Sequence, residues 1–204
     1  IVTPLTGWYS TNFTVNSTVT DNNVVSNVYY RYENSTLNGS WVSISNVSAN
    51  NWNGTFNVLS LPNGNYTFRL NASDNYGTTN ASVVMYNVSI DTVNVSVVLE
   101  LPDNATTNSS PITFVTSVTD STSGVRNVTL YLDGIANTTN SSGASGRYEF
   151  SQSLSGGNHN WSILAYDNVG TSNQSSTRTV TVESTSPSVT IVTPLTGWYS
   201  TNFT

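Results

Sequence analysis

The chain has 204 residues, a formal net charge of −6 and only 8% charged residues. Its five cations are all arginine and cysteine is absent, which excludes a basic nucleic-acid surface, disulfides and thiolate metal sites. No apolar run approaches the roughly 18 residues of a membrane-spanning helix. The sequence shows neither an initiator methionine nor a signal peptide, so we expect a mature or excised segment.

The first half of the chain is predicted to form short strands separated by turns, without helical periodicity. Apolar residues alternate with polar ones, and each run stops at a cluster of Asp, Asn, Gly or Pro. This regular spacing of aromatic and β-branched residues argues against disorder, the alternative for so polar a chain. The predicted strands lie around residues 13–19, 28–32, 41–44, 52–61, 66–72 and 81–90.

The second half repeats the same order of strands, and VNVSVVLELP (93–102) is its first strand. About seven strands per 90 to 100 residues predict an all-β fold of two tandem immunoglobulin-like β-sandwich domains. We place the domains at residues 1–91 and 92–185, and residues 186–204 begin the next repeat. The matching segments are 110–120 with 12–21, 125–134 with 25–34, and 146–173 with 52–80.

The fourteen residues IVTPLTGWYSTNFT occur twice, at 1–14 and again at 191–204, an offset of 190 residues. Such identity indicates a tandem array, or a tail that supplies a strand to the next subunit. The array is favoured, because a donor strand need not copy the acceptor's own start. In either case the partner is the protein itself, and the C-terminal segment contacts a neighbouring unit. The predicted assembly residues are Ile191, Val192, Pro194, Leu195, Trp198, Tyr199 and Phe203.

The second half carries the order V-T-D-x-x-S-G-V, V-x-L-Y-L-D-G and H-x-W-x-I-x-A-x-D-x-x-G between residues 118 and 170. This order resembles the Ig-like and fibronectin III-like repeats of bacterial and archaeal surface proteins. The resemblance covers nearly the whole chain, although the first half lacks the Ser-Gly-Val turn. It implies a β-sandwich fold and a cell-surface or extracellular location. It does not imply a single activity, because such sandwiches carry many functions.

Nineteen of the 29 asparagines lie in Asn-x-Ser/Thr sequons, about twice the number expected from the Ser and Thr content. Most strand sequons alternate with apolar residues, so a glycan would point away from the core. Asn80 is an exception, since it shares the phase of Val84 and Tyr86 unless a bulge intervenes. The predicted glycosylation sites are Asn12, Asn16, Asn34, Asn38, Asn46, Asn53, Asn65, Asn71, Asn80, Asn87, Asn94, Asn104, Asn108, Asn127, Asn137, Asn140, Asn160, Asn173 and Asn202.

Catalytic chemistry has little support in the sequence, and we expect no enzyme and no cofactor. His159 is the only histidine and occupies the position of Tyr66 in the other half, which favours a structural role. Calcium would need several acidic oxygens converging at one point. The matched aspartates are explained more simply as turn residues, so calcium is not expected. These aspartates are Asp21, Asp74, Asp120 and Asp167.

Three tryptophans raise an alternative function, because Trp8, Trp41 and Trp52 could form a sugar-binding platform. Trp161 and Phe68 are assigned to the core from their strand phase. The first hypothesis remains a structural repeat of an extracellular, glycosylated filament, stalk or surface layer, most typical of archaea. The alternative is a carbohydrate-binding or cell-adhesion module, which would require an exposed row of aromatic side chains.

Overall fold

A computed structural model describes residues 1–107, 110–190, 192, 197, 198 and 200. Strands dominate this part of the chain, and its only helical element is a 3-10 turn at Val58–Ser60. The strands of the first half are β1 (Gly7–Tyr9), β2 (Phe13–Thr18), β3 (Val25–Glu33), β4 (Val42–Ser48), β5 (Asn51–Phe56), β6 (Gly64–Asp74) and β7 (Thr79–Ile90).

The second half contributes nine strands to the described residues, several of them only three residues long. They are β8 (Ser96–Leu101), β9 (Ala105–Thr107), β10 (Ile112–Thr119), β11 (Val125–Leu132), β12 (Ile135–Asn140), β13 (Gly146–Gln152), β14 (Gly157–Asp167), β15 (Ser172–Gln174) and β16 (Arg178–Val182). We call β1–β7 the first sandwich and β8–β16 the second sandwich.

In the first sandwich the strands follow the order β1-β7-β6-β3-β4-β5-β2. Strand β4 pairs first with β3 and then, from Ser45 onward, with β5, so it passes from one layer to the other. The second sandwich has two separate sheets, β13-β10-β8 and β12-β11-β14-β16-β9, with β15 beside β14. The all-β, Ig-like sandwich fold predicted from the sequence is confirmed.

Each sandwich encloses its own hydrophobic core, formed by alternate residues of its strands. In β14, Trp161, Ile163 and Ala165 are 1%, 0% and 0% exposed. In β6, Phe68 is fully buried and its ring contacts Phe56 at 5.1 Å between centroids. The core assignments of Trp161 and Phe68 are therefore confirmed.

Tyr66 and His159 make the same hydrogen bond in the two sandwiches. The Tyr66 hydroxyl donates to the Pro62 carbonyl at 2.7 Å, and His159 Nε2 lies 3.1 Å from the Ser155 carbonyl, again four residues upstream. This is the geometry of the tyrosine corner of Ig-like sandwiches. The structural role predicted for His159 agrees with this geometry.

His159 also lies 2.8 Å from Asp133, through Nδ1 and Oδ2. Both of its partners accept hydrogen bonds only, so the ring satisfies both when both of its nitrogens carry hydrogen. The hydrogen bond to Asp133 accordingly raises the pKa of His159 above its usual value. The same bond, together with the Asn160 N–H, lowers the pKa of Asp133. The pair ties the β11–β12 turn to the start of β14.

Two strand predictions need correction. The strand predicted over residues 52–61 ends at Phe56, because the Asn57 side chain accepts a hydrogen bond from Leu59 N and caps the 3-10 turn. The sequence predicts no strand at Trp8 and Tyr9, whereas both residues lie within β1, which pairs in parallel with the end of β7. Strand β9 occupies the same place beside β16 in the second sandwich.

The junction also differs from the sequence prediction, in which the strand over residues 81–90 is followed almost at once by a strand that begins at Val93. Strand β7 ends at Ile90 and β8 begins only at Ser96. Asp91 accepts a hydrogen bond from Val93 N at 3.1 Å, which turns the chain between the two strands. Val93 is therefore 56% exposed and does not share the buried face of Val95 and Leu99.

The first sandwich has a strand position that is only partly filled. Thr3 pairs with Asn16 of β2, in the same way that Leu101 pairs with Val115 in the second sandwich. In the second sandwich this pairing continues along β8 from Leu101 to Ser96. In the first sandwich, the corresponding residues 18–20 line an open cleft of about 300 Å³. Val25, Val28 and Leu70 of the core also line this cleft, together with Asp21 and Asp74.

Candidate metal centre

Asp91 lies at the point where the first sandwich ends and the second begins. Its backbone N–H donates to the Tyr9 carbonyl at 3.0 Å, which fixes it to β1. Its side chain is fully buried, and Oδ1 accepts a hydrogen bond from Asn63 Nδ2 at 3.0 Å. Oδ2 accepts from the backbone N–H of Ser123, also at 3.0 Å. The Asp91 carboxylate therefore connects a turn of the first sandwich to a loop of the second.

Asp120 follows β10 and organises the loop that contacts Asp91. Its Oδ1 accepts hydrogen bonds from Thr122 N at 3.0 Å and Gly124 N at 2.7 Å. Gly124 has a φ of 82°, a left-handed conformation that glycine adopts without strain. This Ser-Gly-Val turn therefore places Ser123 directly beside the junction.

Asp167 is the last residue of β14 and is also fully buried. Its Oδ1 accepts hydrogen bonds from Gly170 N at 2.7 Å and Thr171 N at 2.8 Å. The adjacent Asn168 joins the two loops, since its Nδ2 donates to the Ser123 carbonyl at 2.7 Å. The loops after β10 and β14 thus meet at the end of the second sandwich that faces Asp91.

The three aspartates form a compact group, in which one carboxylate oxygen from each residue lies within 4.8 Å of the other two. Two ionised carboxylates at that distance repel by about 3 kcal/mol at an effective dielectric constant of 20. None of the ion pairs found in the described part of the chain includes these aspartates. All-oxygen groups of this kind suit hard cations such as calcium.

The sequence identified Asp120 and Asp167 as matched turn residues but did not connect them with Asp91. The signal for Asp91 is its position relative to a proline. It stands eleven residues before Pro102, and Glu183 stands eleven residues before Pro194 in the repeated segment. Because Pro194 is the copy of Pro4, the repeat places a carboxylate at the same point before each sandwich.

The first sandwich has counterparts of Asp120 and Asp167, namely Asp21 and Asp74. Asp21 Oδ1 accepts from Asn23 N at 2.7 Å, and Asp74 Oδ1 accepts from Tyr76 N at 2.8 Å. Asn75 N donates to the Val24 carbonyl at 3.1 Å, as Asn168 N donates to the Gly124 carbonyl. Both aspartates border the open cleft.

The described sequon asparagines all lie at exposed or half-buried positions. Asn80 is exposed, because β7 contains an extra residue between Asn80 and Val83, where its register with β6 shifts, and Asn80 is therefore out of phase with Val84. Asn16 and Asn71 differ from the others, because each has a buried Oδ1 without a hydrogen-bond partner among the described residues. Asn108 and Asn202 lie outside the described residues. Glycosylation itself stays a prediction.

The three candidate tryptophans of a sugar platform do not share one surface environment. Trp52 is 7% exposed and belongs to the first core. Trp8 and Trp41 are each 38% exposed, and the Arg31 guanidinium covers the Trp41 ring at 5.0 Å. The burial of Trp52 counts against an exposed aromatic row.

Only two of the predicted assembly residues belong to the described part of the chain. Val192 is 77% exposed, and Trp198 is completely exposed. The other predicted assembly residues, Ile191, Pro194, Leu195, Tyr199 and Phe203, lie outside it. The proposed contact of this segment therefore stays a prediction.

Comparison with known proteins agrees with an Ig-like sandwich. The family model described as Bacterial Ig-like domain (group 3) matches residues 50–135. No curated protein matches the chain. Within the described residues, no helix is long and apolar enough to cross a membrane.

Solved structures that are similar to this chain share little sequence with it. Fibronectin(III)-like modules of Clostridium thermocellum CbhA are 19% identical, with 89% of this chain and 92% of that chain covered and a TM-score of 0.46. A tetra-tandem repeat from the extending region of a large adhesion protein is 18% identical, with coverages of 85% and 46% and a TM-score of 0.38. Bacteroides ovatus SGBP-B, in complex with a mixed-linkage heptasaccharide, is 12% identical, with coverages of 87% and 42% and a TM-score of 0.27. This chain spans less than half the length of the last two.

Proposed function

We propose that this chain is a structural repeat unit of an extracellular, N-glycosylated filament, stalk or surface layer. Its units are consecutive repeats of one longer polypeptide, and each period consists of two Ig-like sandwiches. The function is mechanical, because β-sandwiches joined through short, hydrogen-bonded junctions transmit load along the chain. The protein's partner is another copy of the same repeat.

The observation that carries the proposal is the partly filled strand position of the first sandwich. Since residues 191–204 repeat residues 1–14, the segment that precedes Ile191 also fits before Ile1. Alignment on Pro4 and Pro102 places Ser188, Val189 and Thr190 where Ser96, Val97 and Val98 lie in the second sandwich. Those three residues pair with the end of β10. Residues 188–190 of a preceding repeat would therefore pair with residues 18–20 and fill the cleft.

The junction within the period supports a stiff connection. Asp91 joins the Asn63 turn and the Ser123 loop through its two carboxylate oxygens. Thr92 also donates from N and Oγ1 to the Asn63 side chain, at 3.1 and 3.0 Å. These contacts restrict rotation between the sandwiches, whereas a Gly/Ser linker would leave it free.

The sequons support an extracellular location. Bulky neutral glycans on exposed asparagines would keep a chain with few charges soluble and would cover strand edges. In the first sandwich, the outer strand β1 is three residues long, which also limits edge-to-edge pairing.

Immunogold labelling tests this proposal on intact cells of the source organism, with antibodies raised against the recombinant chain. The proposal predicts label on fibres or on a layer outside the cell, before any permeabilisation. Antibodies against a cytoplasmic protein serve as the control for cell integrity. Label that appears only after permeabilisation would refute an extracellular function.

A further inference from the structure

We propose that Asp91, Asp120 and Asp167, together with the Ser123 hydroxyl, bind one calcium ion between the two sandwiches. This site is independent of how successive repeats join, since all four residues belong to one period. It also replaces the expectation, based on the turn motifs alone, that these aspartates act without a metal.

Ser123 provides an observation that is separate from the acidic cluster. The residue is 9% exposed, and its Oγ is buried without a hydrogen-bond partner among the described residues. A buried hydroxyl without a partner is unfavourable, and most such groups in proteins are paired. A cation beside the hydroxyl would give its oxygen a ligand bond.

The backbone contacts of Ser123 hold this residue beside the three carboxylates. Its N–H donates to Asp91, and its carbonyl accepts from Asn168, the neighbour of Asp167. It also lies in the turn closed by Asp120 and Gly124. The unpaired Oγ is only two bonds from the Cα that these contacts hold in place, so it is fixed beside the cluster.

The chemistry of the group favours calcium over other metals. All four side chains offer oxygen, whereas zinc and copper sites in proteins use histidine and cysteine. Calcium accepts six to eight oxygens at about 2.3–2.6 Å, and two oxygens each 2.4 Å from one ion are at most about 4.8 Å apart. The carboxylate oxygens here lie within that same limit of one another. Backbone carbonyls and water would complete the shell.

The charge of the group also favours a bound cation. Two of its three carboxylates are fully buried, and the arginines of the described chain are engaged elsewhere, with Glu33, Glu100, Glu149, Asp103 and the Tyr166 ring. Buried like charges without a counterion are unfavourable. A divalent ion would neutralise most of this charge and would connect Asp91 of the junction to both loops of the second sandwich.

Calorimetric titration of the recombinant 204-residue chain with calcium chloride tests the site. We expect one site per chain, with a Kd in the range of about 10⁻⁴ to 10⁻³ M that is typical of extracellular modules. At 10 mM calcium the Tm of the second sandwich should rise by at least about 5 °C relative to EDTA. Magnesium at the same concentration should give a smaller shift, since it dehydrates reluctantly.

Matched variants separate metal binding from loop folding. Asp91→Asn and Asp167→Asn keep an oxygen that can accept the hydrogen bonds of the loop, and each should weaken calcium binding at least tenfold. Ser123→Ala should weaken it several-fold without changing the Tm measured in EDTA by more than a few degrees. Glu149→Gln, which removes an exposed carboxylate, and Asp21→Asn, in the first sandwich, should leave the Kd unchanged.

Two results would overturn the site. One is a wild-type chain whose Tm and titration curve do not respond to calcium. The other is calcium binding that survives in Asp91→Asn and Asp167→Asn with an unchanged Kd. Either result would leave the proposed extracellular function in place, because immunogold labelling tests that function separately.

Discussion

Adding residues 183–190 in front of Ile1 tests whether this segment completes the first sandwich. In the present chain Val189 is 87% exposed. In the extension its side chain would lie against Val19, as Val97 lies opposite Val118 in the second sandwich. Pro187 would take the position of Val95, which is fully buried. The extension would therefore bury two apolar side chains in the cleft.

The expected gain follows from these contacts. Burial of two such side chains contributes about 1.5 kcal/mol each, and ladder hydrogen bonds to residues 18–20 add about 1 kcal/mol each. Ordering four residues, one of which is a proline with little conformational freedom to lose, costs about 1 kcal/mol per residue. The net stabilisation is about 1–2 kcal/mol, which corresponds to a rise of about 5–10 °C in the Tm of a sandwich of this size.

Differential scanning calorimetry measures this rise, and hydrogen exchange of the peptide spanning residues 13–21 assigns it to the first sandwich. The amides of residues 18–20 should gain protection when the extension is present. The matched control is the same extension with Val189→Asp, which should lose most of the gain because it buries a charge. An unchanged Tm, or an equal rise with the Asp variant, would refute the reasoning.

Three further predictions concern the core, the pH dependence and the glycans. Trp161→Ala should destabilise the second sandwich by about 3–5 kcal/mol in denaturant unfolding, whereas the exposed Trp198→Ala should have no effect. Hydrogen bonding raises the pKa of His159, so its stabilisation is complete below pH 6.5 and is lost as pH rises through the folded-state pKa. The Tm should fall over that pH interval in the wild type but not in His159→Gln. An equal dependence of Tm on pH in the two proteins would contradict this. Glycopeptide mass spectrometry should find sugar on the exposed Asn94 and none on Asn16, whose Oδ1 is buried; full occupancy of Asn16 would contradict it.

The sequence predicts the sandwich well because strand phase is a local property. Alternation in β6 and β14 identifies core residues such as Phe68 and Trp161 without knowledge of their partners. The 3-10 turn at residues 58–60 was missed, since its apolar Val58 continues the strand pattern while Asn57 changes the backbone direction. Local pattern cannot show a cap of this kind.

The candidate metal centre could be predicted only in part. Asp120 and Asp167 stand out as matched turn residues in the two halves of the chain. Their proximity to each other depends on the packing of two loops, and their proximity to Asp91 depends on the path of the junction. Both are long-range properties, and the unpaired Ser123 hydroxyl is visible only once the loops have been placed.

The mass of the native polypeptide under denaturing conditions, after chemical removal of its sugars, tests the central claim most directly. If the chain is one repeat of a continuous array, the stripped mass should be a large multiple of the 190-residue period. The mass lost on stripping should correspond to many sugars, because most described sequons are exposed. A stripped mass near 21.9 kDa, the mass of this chain alone, would contradict the continuous array.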